Sequence, residues 1–229
     1  VYLWGRNFQN EVESNWLIRY NADGRSEEYR LSLSKDGYIT SLDVSAGEVY
    51  YLERVDAEDE SAAWFLHTLQ AQEKLDWADA GNDLENLIVS GALAYLTDGK
   101  TLYTCSLPEG RVLQAANAET EITTLFCRTD GTVVAYCEDT GNLYELEAGG
   151  EVLTKTGTLP LLFRSGKLLP GTNSGYDCLV LRQAELFGWN IEQAAATQLL
   201  SFDTYGLVSN NLSAFASLGN GVFLGATWK

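Results

Sequence analysis

The chain has no methionine, one histidine and three prolines among its 229 residues. Lys and Arg number 15 against 32 for Asp and Glu, a formal net charge of −17. Each shortage excludes something. A translated chain begins with Met, so the sequence is expected to be a processed product or a trimmed piece of a longer protein; signal-peptide removal would leave such a start. Metal sites built on two imidazoles are excluded by count. Surfaces that neutralise phosphate need clustered Lys and Arg. No such cluster occurs, so nucleic acid and anionic lipid are not expected partners. No apolar run approaches the ~18 residues that span a bilayer; the longest, Leu87 to Leu96, is broken by Ser90 and Gly91. No GxGxxG, Walker, GxSxG or HExxH motif is present.

The cysteines are few as well: Cys105, Cys127, Cys137 and Cys178. Their spacing matches no zinc pattern. With Asp130-Gly131 as a two-residue turn, Cys127 faces Val134 and Cys137 faces Thr124. A cross-strand disulfide is therefore not expected, and buried free thiols are the reading.

What is plentiful is aromatic and turn-forming. Six Trp, 12 Tyr and 8 Phe within a 45% hydrophobic composition favour sheet over helix. Asp-Gly pairs stand at Asp23-Gly24, Asp36-Gly37, Asp98-Gly99 and Asp130-Gly131. Ala46-Gly47, Thr140-Gly141, Gly149-Gly150 and Asn220-Gly221 are similar. Such pairs supply the positive φ of tight hairpins, and short strand-like runs such as YITSLDV, EVYYLERV, TVVAYCE and GVFLGATW lie between them.

Two of these runs are near copies. LYTCSLPEGRVL begins at Leu102 and LYELEAGGEVL at Leu143. Cys105 aligns with Leu146, a packing position, and Arg111 with Glu151, a water-facing one. Extended in both directions, the echo gives a period of about 40 to 45 residues with about four strands per unit, the pattern of a propeller blade. The expected fold is all-β: one β-propeller domain over 1–229, with five four-stranded blades at 37–80, 83–118, 119–157 and 158–205, and a composite blade of 212–229 with 1–34. Six blades or an incomplete ring are the alternatives. The fourth unit carries an insertion around Pro170 to Gly175. Residues 60–80 have helix-forming composition, with Ser61 as a candidate cap, but repeat position makes them the third and fourth strands. The repeat is followed, because tertiary context overrides propensity. Ile191 to Leu200 poses the same conflict.

The stretch LLSFDTYGLVSNNLSAFASLGNGVFLGATW, Leu199 to Trp228, together with the LYELEAGGEVL-type units, resembles the propeller-like repeats of secreted bacterial lipoproteins. In that group such repeats often precede the extracellular solute-binding domain of an ABC importer. The resemblance covers most of the chain, rests on pattern and carries no catalytic motif. It implies a cell-surface or extracellular setting and a solute-binding domain beyond this stretch. It implies no activity, cofactor or binding residue.

Candidate chemistry is sparse. His67, in WFLHTLQ, has apolar neighbours and reads as a structural residue. Asp56, Glu58, Asp59 and Glu60 form DAEDE, a solvated loop by composition. Asp76, Asp79, Asn82, Asp83 and Glu85 gather where one blade hands over to the next. A calcium ion would suit such residues, but no metal is assigned there. Nothing singles out a glycosidase carboxylate pair. The sequon Asn211-Leu212-Ser213 matters only if the source glycosylates Asn. Loops carry function on scaffolds of this kind. The candidate ligand-binding residues are therefore those of the between-blade loops: Asp36, Asp79, Asn82, Asp83, Tyr205, Asn210 and Asn211, with Glu119 and Asp203 nearby. Such a set suits a sugar, a cation or a basic protein patch; equally, these are ordinary turn formers.

The expected function is a non-enzymatic binding or protein-interaction module of a secreted or surface-anchored bacterial protein, accessory to solute or sugar uptake. It needs no cofactor, and protein or carbohydrate meets its loop face. A propeller-type glycoside hydrolase or lyase is the rival, and a β-sandwich carbohydrate-binding module the second rival.

Overall fold

The structure is a computed structural model that describes residues 2–9, 12–21, 23, 25–56, 62–74, 83–107, 109–128, 130–146, 152–164, 166–171, 174–182, 185–201, 212–219 and 222–227. Three strands come first: β1 (Tyr2–Gln9), β2 (Val12–Tyr20) and β3 (Ser26–Leu31), paired in that order. Four four-stranded sheets follow. They are β4 (Gly37–Ser45), β5 (Glu48–Asp56), β6 (Ala62–Thr68) and β7 (Gln72–Lys74); β8 (Glu85–Ser90), β9 (Leu93–Thr97), β10 (Thr101–Ser106) and β11 (Val112–Asn117); β12 (Thr124–Cys127), β13 (Val133–Cys137), β14 (Asn142–Leu146) and β15 (Leu153–Thr158); and, after the short helix α1 (Leu161–Arg164), β16 (Lys167–Pro170), β17 (Cys178–Arg182), β18 (Glu185–Asn190) and β19 (Ala195–Ser201). A hairpin of β20 (Leu212–Gly219) and β21 (Val222–Thr227) ends the chain. Each sheet is an antiparallel meander in sequence order.

The turn residues explain the meanders. Ala46 and Gly47 have φ of 51° and 84°, and Ser45 pairs with Glu48, so β4 and β5 are joined by a tight two-residue turn of the primed kind. The Asp98 carboxylate accepts the backbone N–H groups of Lys100 and Thr101 at 2.9 and 2.7 Å, closing β9 onto β10 as an Asx turn.

The sheets stand side by side through their first strands. The hydroxyl oxygen of Ser41 in β4 accepts the Leu87 N–H at 2.8 Å, and Asp43 Oδ2 accepts the Val89 N–H at 2.7 Å. From β8, Asn86 Nδ2 donates to Thr123 O at 3.4 Å, and Ser90 Oγ donates to Gly131 O at 2.9 Å. β12 in turn contacts β16. First strands in mutual contact with later strands stacked outward are the radial arrangement of a propeller.

The cores lie between sheets. Leu52, Trp64 and Leu66 pack on Leu87, Val89 and Leu96. Ile88 and Leu102 meet Leu125, Val133 and Ala135. Val134 and Tyr136 meet Cys178, Val180 and Trp189. Both faces of a middle sheet are thus covered, which is why every residue of β13, VVAYC, is buried. Leu17 and Leu31 of the first sheet pack on Ile39, Val49 and Tyr51.

Several expectations are corrected. Cys127 pairs with Val133, not Val134. The connection is a three-residue loop closed by Arg128 N–H to Thr132 O at 2.8 Å, with Gly131 at φ 89°, so the register slips by one relative to a two-residue turn. Asp36-Gly37 is not a hairpin tip; it joins β3 to β4, strands of different sheets. Helix α1 had no sequence signal. Ala62–Thr68, Gln72–Lys74 and Ala195–Ser201 are strands, as the repeat required; residues 60–61 and 75–80 lie outside the described residues. All four cysteines are free, and Cys105, Cys137 and Cys178 are buried. Radial sheets leave no place for the two-layer sandwich. The terminal sheets have three and two strands and do not pair with each other among the described residues. Among the described residues no helix is long and apolar enough to cross a membrane.

Candidate functional site

Of the seven candidate ligand-binding residues, Asp79, Asn82, Tyr205, Asn210 and Asn211 lie outside the described residues, as do Asp76, Asp203 and the acidic run 58–60. Asp36 is exposed on the β3–β4 crossover at φ 62°. Asp83 is exposed and ion-paired to Arg54. Arg54 also reaches Asp56 at 2.6 Å and lies 5.6 Å over the Trp64 ring. Among the described residues no hydrogen bond or ion pair joins Asp36 to Asp83, and no cluster of three His, Cys, Asp or Glu could hold a metal.

The structure gathers a different set. Along β5 the alternation of a strand turns Val49, Tyr51 and Glu53 to the same side. Tyr51 pairs directly with His67 of β6, and Glu53 lies two residues along. The His67 ring stacks on Tyr51, with centroids 4.5 Å apart and planes at 10°. Glu53 is fully buried. Its Oε2 lies 2.6 Å from His67 Nε2, its Oε1 accepts the Ser34 N–H at 2.5 Å, and Ser34 Oγ lies 3.2 Å from Oε2. The Tyr51 hydroxyl donates to Ser32 O at 3.1 Å. A buried carboxylate and a tyrosine thus tie the crossover down. Gly37 starts β4 here because any side chain would collide with the Glu53 carboxylate.

Burial moves the titrations. His67 is held below its ordinary value because desolvation outweighs the Glu53 contact. Tyr51 is pushed up to about 12 by burial, with Glu53 adding to the rise. The imidazole is therefore neutral at neutral pH.

Two grooves flank the crossover. One, of about 270 Å³, lies between Arg30 to Ser34 and Thr68 to Ala71, and His67 lines it. The other, of about 570 Å³, takes in Asn15, Asp36 and Gly37. Glu53 was not singled out in the sequence. The signal was available: an alternating strand with a carboxylate on its inward side, set against the sole histidine of the next strand. The 60–80 conflict between helix and strand hid that pairing.

No family model matches the chain, and no curated protein matches it. Solved structures do resemble it. A streptogramin B lyase superposes with a TM-score of 0.60 at 12% identity, over 98% of this chain and 76% of that one. A catalytically inactive virginiamycin B lyase from Staphylococcus aureus with quinupristin gives 0.54 at 12% identity, over 85% and 68%. The extracellular domain of a one-component system from Bacteroides thetaiotaomicron gives 0.54 at 15%, over 98% of this chain and 30% of that one. Likeness at such identities is likeness of fold, and with the radial sheets it makes this chain an all-β propeller protein.

Proposed function

We propose that the chain is a non-enzymatic binding module that works outside the cell and takes a small hydroxyl-rich solute in the groove over His67. One observation carries the reading: the only histidine is recessed at 4% side-chain exposure, held by Glu53, and hydrogen-bonded to no hydroxyl or thiol among the described residues. It offers a fixed polar contact without a nucleophile. The polar groove walls and the extracellular domain among the structural neighbours agree with this. In the same proposal the ring has five blades, residues 212–229 and 1–34 share one of them, and the parent protein is a surface-anchored bacterial protein accessory to solute or sugar uptake.

A second reading has one observation in its favour. A carboxylate hydrogen-bonded to an imidazole is also how a general base is oriented, so a lyase or hydrolase centred on His67 is the rival. One experiment separates them. The protein is incubated with a panel of glycans and simple sugars, and both binding heat and new reducing ends or unsaturated products are measured. Bound, intact ligand supports the module. Turnover that disappears in His67→Gln overturns it in favour of the enzyme. No binding to any member overturns the solute-binding reading.

A further inference from the structure

We infer that His67 is the hydrogen-bond acceptor of a sugar subsite, its Nδ1 taking a hydroxyl proton from a neutral, polyhydroxylated ligand in the groove between the Arg30–Ser34 crossover and the turn at 68–71. The inference rests on the binding-module reading and deepens it.

The tautomer follows from the neighbours. A carboxylate oxygen accepts hydrogen bonds. Glu53 receives the Ser34 N–H and the Ser34 hydroxyl lies beside it, so the remaining contact, from His67 Nε2, is an N–H donated to Oε2. A neutral imidazole has one N–H. Nδ1 therefore carries the lone pair. It has no hydrogen-bond partner among the described residues, while the ring is otherwise enclosed and lines the groove. Stacking on Tyr51 and the tilted contact with Phe65, 6.5 Å between centroids, keep the ring from turning.

A recessed lone pair selects among ligands. A hydroxyl satisfies it; a carboxylate or an ether oxygen brings a second acceptor against it. Donors stand at the rim, where Arg30 and Gln70 are exposed. A recessed acceptor below donors at the rim is the complement of vicinal hydroxyls, each of which donates and accepts. The volume of about 270 Å³ sits near the lower limit for small-molecule sites, which suits one sugar ring rather than a chain.

Histidine-selective ¹⁵N labelling of the full chain yields a single imidazole to follow. The probes are glucose, galactose, N-acetylglucosamine and glucuronate, with calorimetry in parallel. The expected result is that one neutral sugar shifts the Nδ1 resonance and binds more tightly than glucuronate. His67→Gln should weaken that sugar about tenfold. If the variant does not fold, the O-methylated and deoxy forms of the same sugar are titrated into the wild-type chain, and one of them should lose a similar factor. A sugar that binds by calorimetry and leaves the imidazole resonances unmoved overturns the inference while the binding module stands. Glucuronate binding more tightly than every neutral sugar overturns the acceptor assignment. No binding by any probe overturns both.

Discussion

Glu53 and Gly37 constrain each other. The carboxylate sits where a Cβ at position 37 would be, and Ser34 and His67 leave it no other place. Gly37→Ala should therefore act as overpacking, costing about 1–3 kcal/mol, read as a lower midpoint in urea unfolding. The same pair gives stability a defined pH dependence. His67 is held below its ordinary value of 6.5, so the fold favours the neutral ring. The stability it contributes is complete above pH 6.5 and is lost as pH falls from 6.5 towards the lowered folded value. Thermal scans from pH 7.5 to 5.5 should show a steeper loss for the wild type than for His67→Gln; parallel curves would refute the assignment. Comparing the two chains cancels the general relief of repulsion as the −17 charge is titrated. Asp43 acts in the opposite sense lower down: burial raises its carboxyl, so its penalty appears as pH rises through 3.8.

Elements are joined by few but well-placed side chains. Arg128, just after β12, reaches Asp177 at 2.9 Å, Glu145 at 3.0 Å and Glu192 at 3.4 Å, pinning the third four-stranded sheet to the loops of the fourth. Asp177 also accepts the Ile191 N–H at 2.8 Å. Arg128→Ala should destabilise by about 2–3 kcal/mol, since it strands a largely buried carboxylate. Arg128→Lys should recover little, because one ammonium cannot span three acceptors; recovery to within half of the alanine loss would show that charge alone matters. At this scale the sequence was most and least readable. The repeat identified β6, β7 and β19 against their helical composition, because a blade position must be filled whatever the local propensity. The hairpin at Arg128 to Thr132 was misread by one residue, because Asp-Gly serves two-residue and three-residue loops alike and only the ladder distinguishes them. The staple itself was invisible: Arg128, Asp177 and Glu192 are far apart in the chain and have no common motif. Glu53 differs: its place beside His67 follows from the pairing of neighbouring strands in one sheet, and only its contact with Ser34 depends on where the crossover runs.

For the whole molecule, the inner sheets cover one another's faces, so stability is expected to be shared along the row of sheets. The proposal that both termini build one blade makes a sharp demand. A chain ending at Ser201 should lose more than about ten degrees of melting temperature, a shift of several kcal/mol for a protein of this size. An unchanged midpoint would mean that the last hairpin adds nothing to closure. The readable part of the architecture was the period; the blade count was not readable, because the end units share no motif with the inner ones.

The buried thiols give the chain a built-in clock. Cys105 and Cys178 are pushed up to about 12 by burial, and Cys127 and Cys137 are raised as well. Only a thiolate reacts readily, so the three buried thiols, Cys105, Cys137 and Cys178, should resist modification until their own sheet opens, with half-buried Cys127 reacting ahead of them. Cys105 sits in the second four-stranded sheet, Cys127 and Cys137 in the third, and Cys178 in the fourth. Pulsed alkylation followed by peptide mapping would then time the opening of three blades in one experiment, with no engineered probe, and would show whether the sheets unzip from one end or give way at once.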